Sequence, residues 1–243
     1  MCVASYFRQV FPRGLVQPEG ALRASMDALL LARFATLEPG CRFADLGTGC
    51  GIVACALALN HADVTGVGLE REGCLVAAAR QNFANLNLEA RLTCVEGDAG
   101  EATCLKRLGT GSFDTVVLNP PYYVCGQGRP SPRALRRRGL EGAADSLNIF
   151  FAAAARLLRH HGHMACILPA ARMGDAVLLL RKHKLGLRRI CCVHSREGKA
   201  AKRVLLEARA HATEDIRIEA PLTLHTQLQV AGQAPLALQP KNG

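Results

Sequence analysis

From residue 41 onward, short apolar, β-branched runs alternate with longer stretches rich in alanine and leucine. Cys41–Leu46, Asp63–Leu69, Ala90–Glu96 and Phe113–Leu118 read as buried strands, with helices over Ile52–Leu59 and Gly73–Asn85 between them. The alternation continues with a helix over Leu147–Leu158, a strand over His163–Leu168, a helix over Ala171–His183 and a strand over Arg188–Val193. Arg203–Ala210 follows that strand after only a short loop, so it is expected as an antiparallel hairpin partner. Ile216–Leu224 reads as a last short strand. Before this pattern, residues 1–24 are punctuated by turns at Pro12-Arg13-Gly14 and Gln17-Pro18-Glu19-Gly20. Ser25 then reads as an N-cap, with Asp27 in the first turn of a helix over Met26–Thr36 that Glu38-Pro39-Gly40 stops. The expected organisation is an N-terminal segment and covering helix over 1–40, an α/β domain over 41–224 and a C-terminal tail over 225–243.

One stretch departs from the pattern in a way that points to chemistry. Asn119-Pro120-Pro121-Tyr122 follows the strand Phe113–Leu118, and two prolines cannot continue a sheet ladder. The chain must therefore turn out at the C-terminal end of a strand, where open α/β sheets bind ligands. This set suits methyl transfer to a planar, conjugated nitrogen, whose lone pair is delocalised and must be localised before it attacks. The Asn119 side-chain oxygen and the Pro120 carbonyl can each accept one hydrogen of such an amino group, and Tyr122 can stack on the flat acceptor. A plain Pro-Pro turn is the alternative.

A second cluster sits after the first strand: Asp45-Leu46-Gly47-Thr48-Gly49-Cys50-Gly51, followed by an alanine-rich helix. Strand, glycine turn and helix form the opening unit of a nucleotide-binding α/β fold. The spacing is G-x-G-x-G behind an acidic residue, not the G-x-G-x-x-G that cradles a pyrophosphate. Glu70 ends the next strand about twenty residues beyond the loop, the spacing of a carboxylate that receives ribose hydroxyls. Asp98 ends the third strand at the same edge and can hold an adenine amino group, or act only as a turn residue.

Charge and cysteine content narrow the partners. The formal net charge of +10 suits a polyanion, nucleic acid before membrane. Residues 125–142 are polar and glycine-containing and carry Arg129, Arg133, Arg136, Arg137 and Arg138, so they read as a loop that can hold phosphates beside the acceptor, or as a solvated arginine-rich loop. Eleven cysteines without a CxxC pair read as small buried hydrophobes in a reducing compartment. Arg8 and Arg13 interrupt any signal-like N-terminal pattern, so a cytoplasmic protein is expected. His160-His161-x-His163 lies where a helix must turn into a strand at Gly162, and no metal is expected.

Together Asp45-x-GxGxG, Glu70, Asp98 and Asn119-Pro-Pro-Tyr resemble the class I methyltransferases that modify planar nitrogens. Gln17-Pro18-x-Gly20, Ser25-x-Asp27-Ala28-Leu29-Leu30, the arginine-rich loop and Gly198-Lys199-Ala200-Ala201-Lys202-Arg203 narrow the resemblance. Within that class the chain looks like the tRNA(Val) adenine-N(6)-methyltransferases and their small methyltransferase relatives, across about 10 to 224. The resemblance implies a Rossmann-like sheet of seven mostly parallel strands, one of them antiparallel, with helices on both faces. It also implies S-adenosylmethionine as cofactor, held by Asp45, Gly47, Gly49, Gly51, Glu70 and Asp98. RNA, most simply tRNA, would be the acceptor, with Asn119, Pro120 and Tyr122 at the reacting base. Arg133, Arg136, Arg137, Arg138, Lys199, Lys202 and Arg203 would lie on the RNA. A protein glutamine amide presents the same planar nitrogen and remains an alternative acceptor, as does a basic RNA-binding module on an inactive fold.

Overall fold

The computed structural model describes residues 14–18, 26–120 and 146–225. Nine strands among them form a single sheet, in the order β3-β2-β1-β4-β5-β7-β6-β8, with β9 also on β6. In chain order the elements are α1 (Met26–Phe34), β1 (Arg42–Leu46), α2 (Ile52–Asn60), β2 (Thr65–Glu70), α3 (Gly73–Asn85), β3 (Leu92–Glu96), α4 (Ala102–Leu108) and β4 (Phe113–Leu118). There follow α5 (146–157), β5 (Leu158–Pro169), a 3-10 turn (Ala170–Arg172), α6 (Met173–Lys182), β6 (Leu185–Arg196), β7 (Ala201–Ala210), β8 (Arg217–Ile218) and β9 (Leu222–His225).

Strands β1 to β5 pair in parallel, while β7 is antiparallel to both β5 and β6, as the short connection predicts. The last predicted strand is in fact two pieces lying end to end along β6. Pro221 stands between them and has no N–H to give to a ladder. Two further differences have local causes. Helix α4 has only seven residues, too short for a periodic signature. Strand β5 begins at Leu158, directly after α5, and bulges against β4 so that Phe113 pairs Leu158 while Thr115 pairs His163. The predicted helix-to-strand turn at the histidines is therefore a bulge within a strand, with His161 at φ 61°.

Side-chain alternation builds a core on each face. Phe43, Val117, Ile167 and Leu205 pack under α1, α2 and α3; Leu46, Val116, Leu118, Cys166 and Leu206 pack under α4, α5 and α6. The nine described cysteines are free. Burial pushes the Cys55 and Cys94 thiols up to about 12, which suits packing rather than reactivity. No helix among the described residues is long and apolar enough to cross a membrane.

A buried polar network fastens α1 to the sheet. Arg189 lies over the Phe34 ring at 4.1 Å and donates to the Phe34 carbonyl. It also donates to Glu207 at 2.7 Å and Glu219 at 3.1 Å. Thr36 donates to Glu207 at 2.7 Å, and His163 Nδ1 stands 3.5 Å from the same carboxylate. Burial alone would raise the Glu207 carboxyl, but His163, Thr36 and Arg189 outweigh it and hold it down at about 2, against an ordinary 4.5.

A carboxyl whose pKa is lower in the folded state stabilises the protein above its unfolded pKa and loses that contribution as pH falls. The unfolding free energy of wild type minus Glu207→Gln should therefore shrink by about 3 kcal/mol between pH 5 and pH 2. Urea titrations across that range measure it, and a constant difference would contradict the ion-pair reading.

Candidate active site

Strand β1 sets the geometry of the site because both its edges are paired. Leu46 is opposite Leu69 of β2 on one side and Leu118 of β4 on the other, and Glu70 is opposite Glu96 of β3. Parallel strands in that register release Glu70, Gly47 and Asn119 side by side at one edge of the sheet, each strand roughly 5 Å from the next.

The β1–α2 loop then folds back on β2. The amides of Gly47 and Thr48 both donate to the Leu69 carbonyl, at 2.8 and 3.1 Å. Gly51 has φ 80°, and a Cβ there would stand 2.6 Å from the Phe83 ring. Gly49 has φ 56° and nothing within 4 Å of where a Cβ would be, so its exposed side opens on free space. Gly47 approaches Phe150 of α5.

The three carboxylates differ in what they can reach. Asp45 is 1% exposed. It accepts from the Thr48 hydroxyl at 2.6 Å and from the Ala54 amide in the first turn of α2. Burial, with a smaller push from Glu70, raises its pKa to about 7 against those two hydrogen bonds. It braces the glycine loop from behind. The Glu70 carboxylate accepts from Gly49 of the loop at 2.9 Å and from the amides of Arg71 and Glu72 at 2.9 and 3.1 Å. Asp98 forms a turn, taking the Gly100 amide at 2.7 Å.

Sequence reasoning missed Asn82. It is fully buried on α3, where a polar residue on a helix gives no signal of its partners. Its amide group donates to the carbonyls of Cys50 (2.9 Å) and Val16 (3.0 Å), while its oxygen receives the Val16 amide at 2.7 Å. One side chain therefore ties the segment 14–18, which includes Gln17 and Pro18, to the glycine loop.

Asn119 is half-buried and Pro120 buried at the end of β4. Tyr122, Arg133, Arg136, Arg137 and Arg138 lie outside the described residues, as do Gly20 and Ser25. Lys199 and Lys202 are exposed at the β6–β7 turn. That turn is at the same sheet edge, since Arg203 pairs with Pro169 at the end of β5. Arg203, expected on RNA, instead donates to Asp27 of α1 at 2.9 Å and clamps that helix to β7. Ser195, Arg196, Lys199 and Lys202 line an open groove of about 600 Å³. It lies beside the strand ends, not over the glycine loop. No group of three or more His, Cys, Asp or Glu among the described residues is arranged to hold a metal ion.

The methyltransferase small domain model matches residues 25–182. The tRNA1(Val) (adenine(37)-N6)-methyltransferase of Aeromonas hydrophila is 33% identical over 190 residues, which cover 76% of each chain. The protein of the same name from Porphyromonas gingivalis is 28% identical, covering 78% of this chain and 75% of its own. Among solved structures, a predicted O-methyltransferase from Agrobacterium tumefaciens superposes with a TM-score of 0.69 at 24% identity, over 86% of this chain and 92% of its own. Geranyl diphosphate C-methyltransferase from Streptomyces coelicolor, solved with S-adenosyl-L-homocysteine, gives 0.54 at 11% identity, over 75% and 76%. At these identities the structures show the shared fold.

Asn82→Leu should cost roughly 1–3 kcal/mol, because it strips partners from three backbone groups. The Val16 amide should lose its hydrogen-exchange protection while the amides within α3 keep theirs. Unchanged protection at Val16 would mean that the segment is held by something other than this side chain.

Proposed function

This chain belongs to the methyltransferase small domain family, and we propose that it transfers a methyl group from S-adenosylmethionine to the N6 amino group of an adenine in tRNA. The observation that carries this reading is the register that gathers Gly49, Glu70 and Asn119-Pro120 at one edge of the sheet. The names of the similar sequences, adenine(37)-N6-methyltransferases of tRNA1(Val), support the acceptor.

The residues at the edge fit the proposed cofactor. Open space at Gly49 admits a ligand against the backbone. Glu70 uses three of its four or so acceptor positions on backbone amides, which leaves one for a ribose hydroxyl. Asp98 spends one oxygen on its turn and keeps the other for an adenine amino group. Asp45, with Gly47 and Gly51, serves indirectly by fixing the loop. S-adenosylmethionine, when bound, supplies a methyl group on a sulfonium that leaves readily.

The protein's work is then to present the amino nitrogen. The Asn119 side-chain oxygen and the Pro120 carbonyl accept its two hydrogens, which turns the lone pair away from the ring and toward the methyl. Neither oxygen is a base, and the surplus proton leaves to water. Tyr122 stacks on the adenine after the base leaves its neighbours, a step that costs least in a single-stranded loop. Arg133, Arg136, Arg137 and Arg138, with Lys199 and Lys202, hold phosphates. Arg203 is already paired with Asp27 and contributes mainly by keeping β7 in place.

The two halves of the site should fail differently. Asn119→Ala should lower kcat on tRNA by about a hundredfold or more and leave S-adenosylhomocysteine affinity nearly unchanged. Glu70→Ala should weaken that affinity by roughly 1–3 kcal/mol. Calorimetry and single-turnover rates separate the two. Near-normal turnover in Asn119→Ala would reduce the central stretch to a turn and overturn the reading.

A further inference from the structure

Three buried side-chain nitrogens among the described residues lack a hydrogen-bond partner: His163 Nδ1, Arg189 Nε and Arg172 Nη2. The first two sit in the network under α1, where Glu207 faces His163 and the other nitrogens of Arg189 are paired. Arg172 stands elsewhere. It ends the 3-10 turn directly after β5, at the edge of the sheet that carries Asn119 and Pro120. Leu118 is opposite Cys166, so β5 runs on past Asn119 and Pro120 before reaching that turn. Pro169, just before the turn, pairs with Arg203 at the start of β7. Arg172 therefore lies between the Asn119-Pro120 corner and the groove lined by Arg196, Lys199 and Lys202.

Its side chain is only 12% exposed, and one contact orients it: Nε donates to Asp175 at 2.7 Å. That contact leaves Nη2 buried and unsatisfied, and such an atom beside a site asks for a ligand. A guanidinium fork with a free nitrogen matches a phosphate oxygen. We infer that Arg172 is a substrate-positioning residue that donates to a backbone phosphate of the bound tRNA. It forms the inner end of a basic line that continues through Lys202, Lys199 and Arg196. This inference rests on the RNA acceptor proposed above.

Arg172→Ala tests it, read by KM for unfractionated tRNA, the salt dependence of tRNA binding, S-adenosylhomocysteine affinity and thermal unfolding. The variant should raise KM about tenfold or more and flatten the log–log salt slope by about 0.7–0.9, the loss of one phosphate contact. Cofactor affinity should stay within about twofold. Arg172→Lys keeps the charge without the fork, so it should restore the slope and only part of the KM. If Arg172→Ala does not fold, Arg172→Gln is read in the same way. An unchanged slope with normal labelling of tRNA would overturn the role of Arg172 alone. So would a loss of cofactor affinity, which would move Arg172 to the cofactor's side. A wild-type protein that leaves tRNA unlabelled would overturn the acceptor reading itself.

Discussion

The two-sided pairing of β1 is the constraint on which the site depends. Leu46 is opposite both Leu69 and Leu118, and that register decides that the glycine loop, Glu70 and Asn119 emerge side by side. A slip of one residue in β4 would turn Val116 and Leu118 to the face that now holds Val117, and would withdraw Asn119 from the edge. Both faces of these strands are buried, so such a slip would unmake both cores at once. Packing of ordinary aliphatic side chains thereby positions polar groups that do not pack.

The loop at that edge is shaped largely from behind, by buried side chains whose hydrogen bonds hold its residues in place. Asp45 binds Thr48 and the start of α2, Glu70 gathers three amides, and Asn82 joins Cys50 to Val16. Burying Asp45 is costly, as its rise to about 7 shows, and two hydrogen bonds offset part of that cost. The gain is a backbone held open at Gly49 before any ligand arrives, which is preorganisation in the strict sense.

The main architecture was legible in the sequence because apolar runs, glycine spacing and proline positions are local signals. Phe113–Leu118 and the glycine loop were readable in this way, as was the antiparallel placement of β7. What was hidden is pairing between distant residues. Nothing near Arg203 announces Asp27, 176 positions away, and nothing near Asn82 announces Val16, 66 positions away. Asp45 looked like a ligand-facing acid because sequence gives its position at a strand end but not its direction. The 3-10 turn at Arg172 was read as the start of a helix, which gave no sign that this arginine follows β5 so closely.

Every role proposed for the residues at this edge turns on which atom is methylated. Incubating the purified protein with methyl-labelled S-adenosylmethionine and separate pools of tRNA, ribosomal RNA and protein, then digesting the labelled pool to its monomers, tests it directly. Label is expected in tRNA, recovered as N6-methyladenosine. Label recovered in methylglutamine, or in a nucleoside other than an adenosine methylated at N6, would contradict it.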